Sequence, residues 1–496
     1  MNYDVIIVGG GGSGLAAAIE AGRAGARVLV LEKNEVLRGS TGMSVGSVTS
    51  SQTDLQRARG IEDTPEEHYE DMAVLAAMRG ASDNLELRRI LIDEVPETVR
   101  WLQKHGIVFF GPMPEPPHKK PRMHNILPNS RAYIHYLSRE CRRLRVDFVL
   151  NARVTSLTKE GERVVGVRAT IGGVERAFSA RRAVILASGD YNARSAMRAR
   201  FTNAGDNVQG VNTNEGDGQT LGLNEGSEIL NGNVIWGPLL RLMPPKRLHP
   251  LTALPPWRPL ALFMRFALKN LPAGLLRPFV MSFVTTFISP ERALFREGAI
   301  LVNTRGERFV DETQQPAHDV ARQPGSKVFI MMGADVIRKF AQWPNFVSTA
   351  PGVAYAYLPD YKRTRKDVYY ESDSLDDLAQ KIGITPQTLH DTVTSYNKEL
   401  LDGRLKDRSA SVQPISEPPF CALGPVETRI VITDGGLKVS TRHEVLRADG
   451  TPVQGLFAVG SVGQGGLLLE GHGHHLAWAF TSGRRAGRYA AQEGPT

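Results

Sequence analysis

Cysteine is nearly absent: Cys141 and Cys421 are the only two in 496 residues. Two thiols build no disulfide framework, no iron–sulfur ligand set and no cysteine zinc site. Glu470, His472 and His474 alternate along a segment that could converge on a metal, but no fourth ligand stands out, so no metal is expected. Long apolar runs are missing too. The greasiest stretch, 260–287, is broken by Arg265, Lys269, Arg277 and two prolines, too often for a helix that spans a bilayer. No leader precedes the first strand, and with reduced thiols the expected location is cytoplasmic. Charge of one sign is in modest excess, a net +8, scattered in short groups such as Lys119-Lys120. Without aromatic interleaving or a reading helix, that excess excludes nucleic acid as a partner. It fits solubility and attraction of an anionic ligand instead.

What is present begins at the amino terminus. Val5–Val8 is an apolar strand pattern followed by Gly9, Gly11 and Gly14. One glycine permits a tight turn, one lets backbone approach a pyrophosphate, and one lets a helix pack closely on the strand. The helix starts near Ser13, and its amino terminus is an anion site. Ala26–Leu31 reads as a second parallel strand, and Glu32 follows at the offset where a carboxylate accepts from an adenosine ribose. Strand, helix, second strand and acid together predict a bound dinucleotide, FAD or NAD.

The chain is longer than one hydrophobic core usually supports, and the order of its elements predicts an α/β fold: a Rossmann-like FAD-binding domain with an inserted α+β substrate or cap domain. The expected divisions are 1–224 and 366–496 for the nucleotide domain, with 225–365 as the cap. Ser40 and Thr41 lie in a small polar loop suited to wrapping a diphosphate or the flavin edge. That loop holds no histidine or cysteine, so a covalent flavin link is not available there. Thr64, Pro65 and Glu67 open a helical region running to 105. Strands are expected at 146–150, 153–158, 164–171 and 182–186, the last ending in Gly189. Asp217 stands at a helix start, placed to accept from a cofactor hydroxyl. A terminal helix is expected over 475–491.

These features together resemble the flavoprotein family of fumarate reductase and succinate dehydrogenase, which includes the 3-ketosteroid dehydrogenases. The carriers are VGGGGSG near the start, AVILASG at 183–189, EGDGQTLGL at 215–223, GAILVNTRGERFVDE at 298–312, and GLFAVGSVGQGG followed by GRRAG over 455–487. The resemblance implies FAD, held without a covalent link, under a mobile cap. It implies hydride exchange between flavin N5 and a carbon beside an electron-withdrawing group. The start of the last helix, Gly473, His474, His475 and Leu476, would face the flavin pyrimidine edge, where a positive dipole end stabilises reduced-flavin charge. Lys33, Val154 and Gly460 complete the implied cofactor contacts.

Three family elements are replaced. The fumarate-type proton-donating arginine is matched by Pro316, the His-His-Thr-Met-Gly-Gly segment by 431–436, and the carboxylate-clamping arginine by Glu470. The ketosteroid-type tyrosine before the last glycine cluster is matched by Leu468 or Leu469. Glu470 and His472 are therefore the candidate bases, with Glu470 as a mere cap or orienter as the competing reading. Tyr355 and Tyr357 are candidates to polarise a substrate carbonyl, or else a half-buried pair. Arg429 is a candidate carboxylate holder or a surface partner. The expected activity is introduction of an α,β double bond into a cyclic ketone or related apolar carbonyl compound, with oxygen or another acceptor taking the electrons. The alternatives are an ene-reductase running the same chemistry backwards and a flavin-binding subunit without turnover. Residues 260–287 are expected to line an apolar substrate tunnel or an oligomer contact, ahead of a membrane interface.

Overall fold

The computed structural model describes residues 2–202, 208–243, 245, 254–287, 289–350 and 354–494. Gly352 and Val353, expected to lead into the cap closure, lie outside the described residues, as do the side chains of Phe279 and Phe283.

Two sheets organise the chain. The first has the order Glu444–Leu446, Pro452–Ala458, Val174–Leu186, Asn2–Val8, Val28–Leu31, Asp147–Val149, with the hairpin Ala152–Glu160 and Arg163–Ile171 attached through Val174–Leu186. Asn2–Val8 lies parallel to both neighbours, with Val8 opposite Leu31 on one side and Leu186 on the other. Its interior residues Val5, Ile6 and Ile7 are fully buried, as a parallel strand covered on both faces must be. Each such side chain contributes about 1.5–3 kcal/mol of burial.

The first helix, Gly12–Arg23, packs backbone to backbone on the terminal helix His474–Gln492. A Cβ at Gly483 would stand 2.3 Å from the Ser13 carbonyl oxygen, and one at Gly487 equally close to that of Ala17. Small residues in the GRRAG segment therefore bring both ends of the chain onto one core. The helical region after Thr64 is two helices, Pro65–Ala77 and Leu85–Lys104. The break falls at the turn around Gly80, whose φ is +62°.

The second sheet is built around the long strand Phe420–Ile430, which pairs with Gln209–Gly210, Leu239–Leu242, Val328–Met332 and Tyr369–Ser372, with Ile300–Asn303 at the far edge. Its hydrogen-bonded unit thus reaches outside 225–365 on both sides. The pattern at 427–432 was legible as strand, but its partners place it here and not in the nucleotide sheet. A third sheet joins Ser47–Thr49, Met123–Leu127 and Val108–Met113.

The 260–287 region forms two helices, Arg258–Asn270 and Ala273–Phe287. Ala261 and Met264 pack on Val108 and Leu127. Phe263 and Phe266, by contrast, are 64% and 63% exposed. They do not line an internal tunnel, because every third residue of this helix is spent on the sheet and the aromatic pair falls on the opposite face. No helix among the described residues is long and apolar enough to cross a membrane.

Candidate active site at the start of the terminal helix

The cofactor cradle comes first, because it is made of backbone. A Cβ on Gly14 would lie 2.0 Å from the Gly9 carbonyl oxygen, and Gly9 has φ +115°. Gly11 faces Gly39 with only its Cα nearby, at 3.8 Å from where a Cβ would project. Bare backbone on both sides leaves room for a diphosphate. No side chain caps the helix that begins there, and Gly12 N–H donates to Thr41 Oγ1 at 3.1 Å. The remaining first-turn N–H groups are available to an anion. Ser13 is buried against Gly460, whose N–H donates to Ser482 Oγ at 2.9 Å.

Glu32 is buried, and its carboxylate accepts from Gly10 N–H at 2.8 Å and from Asn34 N–H and Nδ2 at 2.9 and 2.7 Å. These bonds fix the oxygens where a ribose would meet them. Val154 is buried two residues along the strand from Ala152, whose N–H donates to the Glu32 carbonyl at 2.9 Å. Lys33 and Arg153 both pair with Asp217 and Glu215, Lys33 at 3.0 Å to each acid. Asp217 therefore lies in an ion-pair cluster with Lys33, the residue next to Glu32. Ser40 Oγ accepts from Asn212 and Asn214 Nδ2 at 2.8 and 3.0 Å, and both amides also reach buried Asp190. Gly189, at φ +82°, is required because a Cβ would stand 2.4 Å from Asn214 Nδ2. These residues fit FAD.

At the other end of the cradle the terminal helix begins at left-handed Gly473, φ +93°, where a Cβ would lie 2.7 Å from Thr49. Thr49 Oγ1 donates to the His472 carbonyl at 2.5 Å. The side chain of His472 is half-exposed, and Nδ1 bonds the carboxylate of buried Glu115, which also accepts from His472 N–H at 2.8 Å. That carboxylate raises the His472 pKa against the opposing effect of burial. Its Nε2 has no protein partner among the described residues.

Glu470, two residues earlier, is ion-paired with Arg79, whose guanidinium also lies 5.1 Å over the Trp236 ring. The carboxylate so held is matched by a cation, the arrangement that the orienting reading of Glu470 expects. Trp236 stands edge-on to both His472 and His475, with centroids 6.4 and 5.9 Å away. Its buried indole Nε1–H has no partner among the described residues. His475 Nε2 donates to Asp434 Oδ1 at 2.7 Å, and Asp434 Oδ2 is buried and open. Leu476 is half-buried in the first turn.

Behind this rim lies a knot of neutral histidines. His474 is fully buried, with Nδ1 2.6 Å from the Glu470 carbonyl oxygen. A carbonyl only accepts, so Nδ1 carries the proton and Nε2 accepts from His68 Nε2 at 3.1 Å. Burial pulls His474 down to about 3 and His118 to about 4, and pulls His68 well below the ordinary range. His118 Nδ1 lies 3.2 Å from Arg122 Nη1, which only donates. Neutral His118 therefore keeps its proton on Nε2, and that buried N–H has no partner. Arg122 is itself locked by Asp63 and Asp71.

Three sequence candidates lie elsewhere. Tyr355 is 39% exposed, and its ring neighbours are Trp343 and Phe346. Tyr357 precedes the helix Leu358–Thr364, under the Arg277 guanidinium at 5.1 Å. Arg429 bonds Gln209 Oε1 at 2.8 Å and Glu427 Oε2 at 2.5 Å, so its charge is already matched. Among the described residues no hydrogen bond or ring contact joins these three to the loop 470–475. Glu115, Arg79, Trp236, Asp434, His68 and His118 were not legible as site residues, since only folding brings them to the loop. Asp434 alone carried a signal, standing in the segment that replaces the family's histidines. No metal-binding group of three or more His, Cys, Asp or Glu occurs among the described residues.

The model for the FAD binding domain matches residues 4–251 and 270–468. The chain is 26% identical to a vinyl phenol reductase of Lactiplantibacillus plantarum, covering 99% of this chain and 97% of that one. It is 25% identical to an NADH:fumarate oxidoreductase of Klebsiella pneumoniae over 99% of its own length, and spans 48% of that relative. Its fold is that of the open conformation of a flavocytochrome c3 fumarate reductase, with TM-score 0.73 at 22% identity over 99% of this chain and 78% of the other. With a family model matching nearly all of the chain and a cradle shaped for a dinucleotide, the chain belongs to the FAD binding domain family.

Proposed function

We propose that the protein reduces a carbon–carbon double bond conjugated to an electron-withdrawing group, with His472 delivering the proton. The oxidative direction was the first expectation from sequence. The reductive one is better supported by the vinyl phenol and fumarate reducing relatives and by the state of His472. Bound FAD supplies hydride-level chemistry at the substrate carbon. The chain supplies the rest.

One observation carries this reading: Glu115 holds Nδ1–H of His472 and raises its proton affinity, leaving Nε2 open at a partly exposed rim. A histidine tuned upward keeps its proton to higher pH than a free imidazole, which suits a proton donor. Both rim cations with carboxylate partners, Arg79 and His472, are neutralised by Glu470 and Glu115. A substrate with two carboxylates would lose hydration worth several kcal/mol without gaining a free cation. The open indole N–H of Trp236 instead suits a neutral carbonyl or phenol oxygen, in a substrate that is small and apolar or cyclic. Because the chain spans about half the length of the first curated relatives it matches, the electrons are assigned to an external reduced carrier.

Anaerobic mixing tests the direction. Dithionite-reduced holoenzyme is expected to regain its oxidised flavin spectrum on adding hydroxystyrenes, cinnamates or cyclic enones. Bleaching of oxidised holoenzyme by saturated cyclic ketones, with no reoxidation by any alkene, would overturn the proposal.

A further inference from the structure

The helix Arg258–Asn270 has two apolar faces, and only one is used. Ala261 and Met264 turn inward, whereas Phe263 and Phe266, one turn apart, face solvent together with Trp257 before them and Leu275 beyond. Large apolar residues grouped in this way mark a contact surface. Its electrostatics name the partner. No Asp or Glu occurs between Glu228 and Glu291, while seven Lys and Arg do. Among the described residues Arg258, Arg265 and Lys269 make no ion pair, so their charge is directed outward.

A groove of roughly 580 Å³ opens at the start of the same helix, where Trp257 and Arg258 meet Lys104, Arg139, Arg143 and Arg23 across Glu140. Glu140 is claimed by Arg143 and Arg23 at 2.8 and 3.3 Å. Lys104, Arg139 and Arg258 have no acid partner among the described residues. Cationic recess and aromatic ridge are thus contiguous.

We propose that this face docks the protein on an anionic lipid bilayer, with Phe263 and Phe266 entering the interface and the groove receiving lipid phosphate. A second copy of the chain fits less well. A two-fold contact would set Arg258, Arg265 and Lys269 against their own copies. A neutral apolar partner would leave the acid-free stretch without a counter-charge. A bilayer with anionic headgroups satisfies both features, as in interfacial amphipathic helices.

Co-sedimentation of holoenzyme with large unilamellar vesicles is the test, comparing phosphatidylcholine alone with phosphatidylcholine containing phosphatidylglycerol. Binding is expected only to the mixed vesicles and is expected to fall steeply between 0.1 and 0.5 M salt, as surface charges screen (roughly 10 Å falling toward 3 Å Debye length). Each of R258E, R265E and K269E should weaken partitioning by about fivefold. The double variant F263S/F266S should weaken it further while retaining FAD absorbance and the far-ultraviolet spectrum. Free inorganic phosphate should not compete at concentrations that leave ionic strength unchanged. No sedimentation with mixed vesicles overturns the proposal, as does equal, salt-independent binding to phosphatidylcholine. A concentration-dependent dimer abolished by F263S/F266S, without vesicle binding, would assign the face to self-association. None of these readouts depends on the direction of the flavin reaction.

Discussion

His472 and His474 stand two residues apart, yet the regions around them drive their protons in opposite directions. On the rim, a buried carboxylate from the 113–122 loop faces a half-exposed imidazole and raises its pKa. In the interior, burial dominates, and the neighbouring cation of Arg122 and the other imidazoles keep His68, His118 and His474 neutral. The left-handed Gly473 makes the contrast possible by turning the chain between the two. Residue type therefore says little about role here; what decides is whether a carboxylate bonds the ring closely enough to outweigh burial, as Glu115 does for His472 and Asp71, 3.8 Å from His118 and bound to Arg122, does not.

The largest test of the contrast removes the rim proton. His472→Gln is expected to slow substrate-dependent flavin reoxidation by about 10²–10⁴-fold, the usual contribution of a general acid, with FAD still bound. His474→Gln should instead impair folding or FAD retention, because its ring is enclosed on all sides. Equal rate losses with intact flavin in both variants would erase the distinction.

Glu115→Gln gives the next effect. The folded-state pKa of His472 is raised above its unfolded value, so its proton is held below that raised value and released as pH climbs through it. Reduction should accordingly have an alkaline limb. The amide should move that limb toward lower pH and lower the rate on its alkaline side, where the protonated fraction falls roughly tenfold per pH unit. An unmoved limb would detach Glu115 from the chemistry.

The interior histidines make the reverse prediction for stability. In the unfolded chain they take up protons near 6.5, whereas in the fold His118 and His124 wait until about 4 and His474 until about 3. Between those limits the unfolded state binds more protons, so stability is present above about 6.5 and is lost as pH falls. The slope is roughly 1.4 kcal/mol per pH unit for each such histidine. Thermal melts from pH 7 to 5 should show a falling Tm that is shallower when His118 is replaced by Asn.

These tests also mark what sequence was able to show. The cradle was legible because backbone geometry writes itself locally: Gly9, Gly11, Gly14 and Glu32 are read from spacing along one strand, turn and helix. The rim was half legible. Loop 470–475 stood out by its histidines, but Glu115, Arg79 and Trp236 reach it from separate elements, and no local pattern encodes that convergence. Glu470 stood out by its carboxylate, but its pairing with Arg79 was not legible. Tyr355, Tyr357 and Arg429 were chosen by residue type and by place in the chain, the tyrosines in a segment expected to close the cap and the arginine just ahead of 431–436, and each found its partners in the second sheet's half of the molecule.

The smallest expected effect is the most discriminating one. The indole N–H of Trp236 is buried and bonded to nothing among the described residues, so its removal in Trp236→Phe deletes no hydrogen bond seen there and relieves an unsatisfied donor. Tm should stay constant or rise, less the lost packing with Arg79. If that donor awaits a substrate oxygen, KM should increase by about fivefold with kcat nearly unchanged, the loss of one neutral hydrogen bond of about 1 kcal/mol. A structural donor would behave in the opposite way, lowering Tm and sparing KM, and the pair of measurements separates the two roles in a single variant.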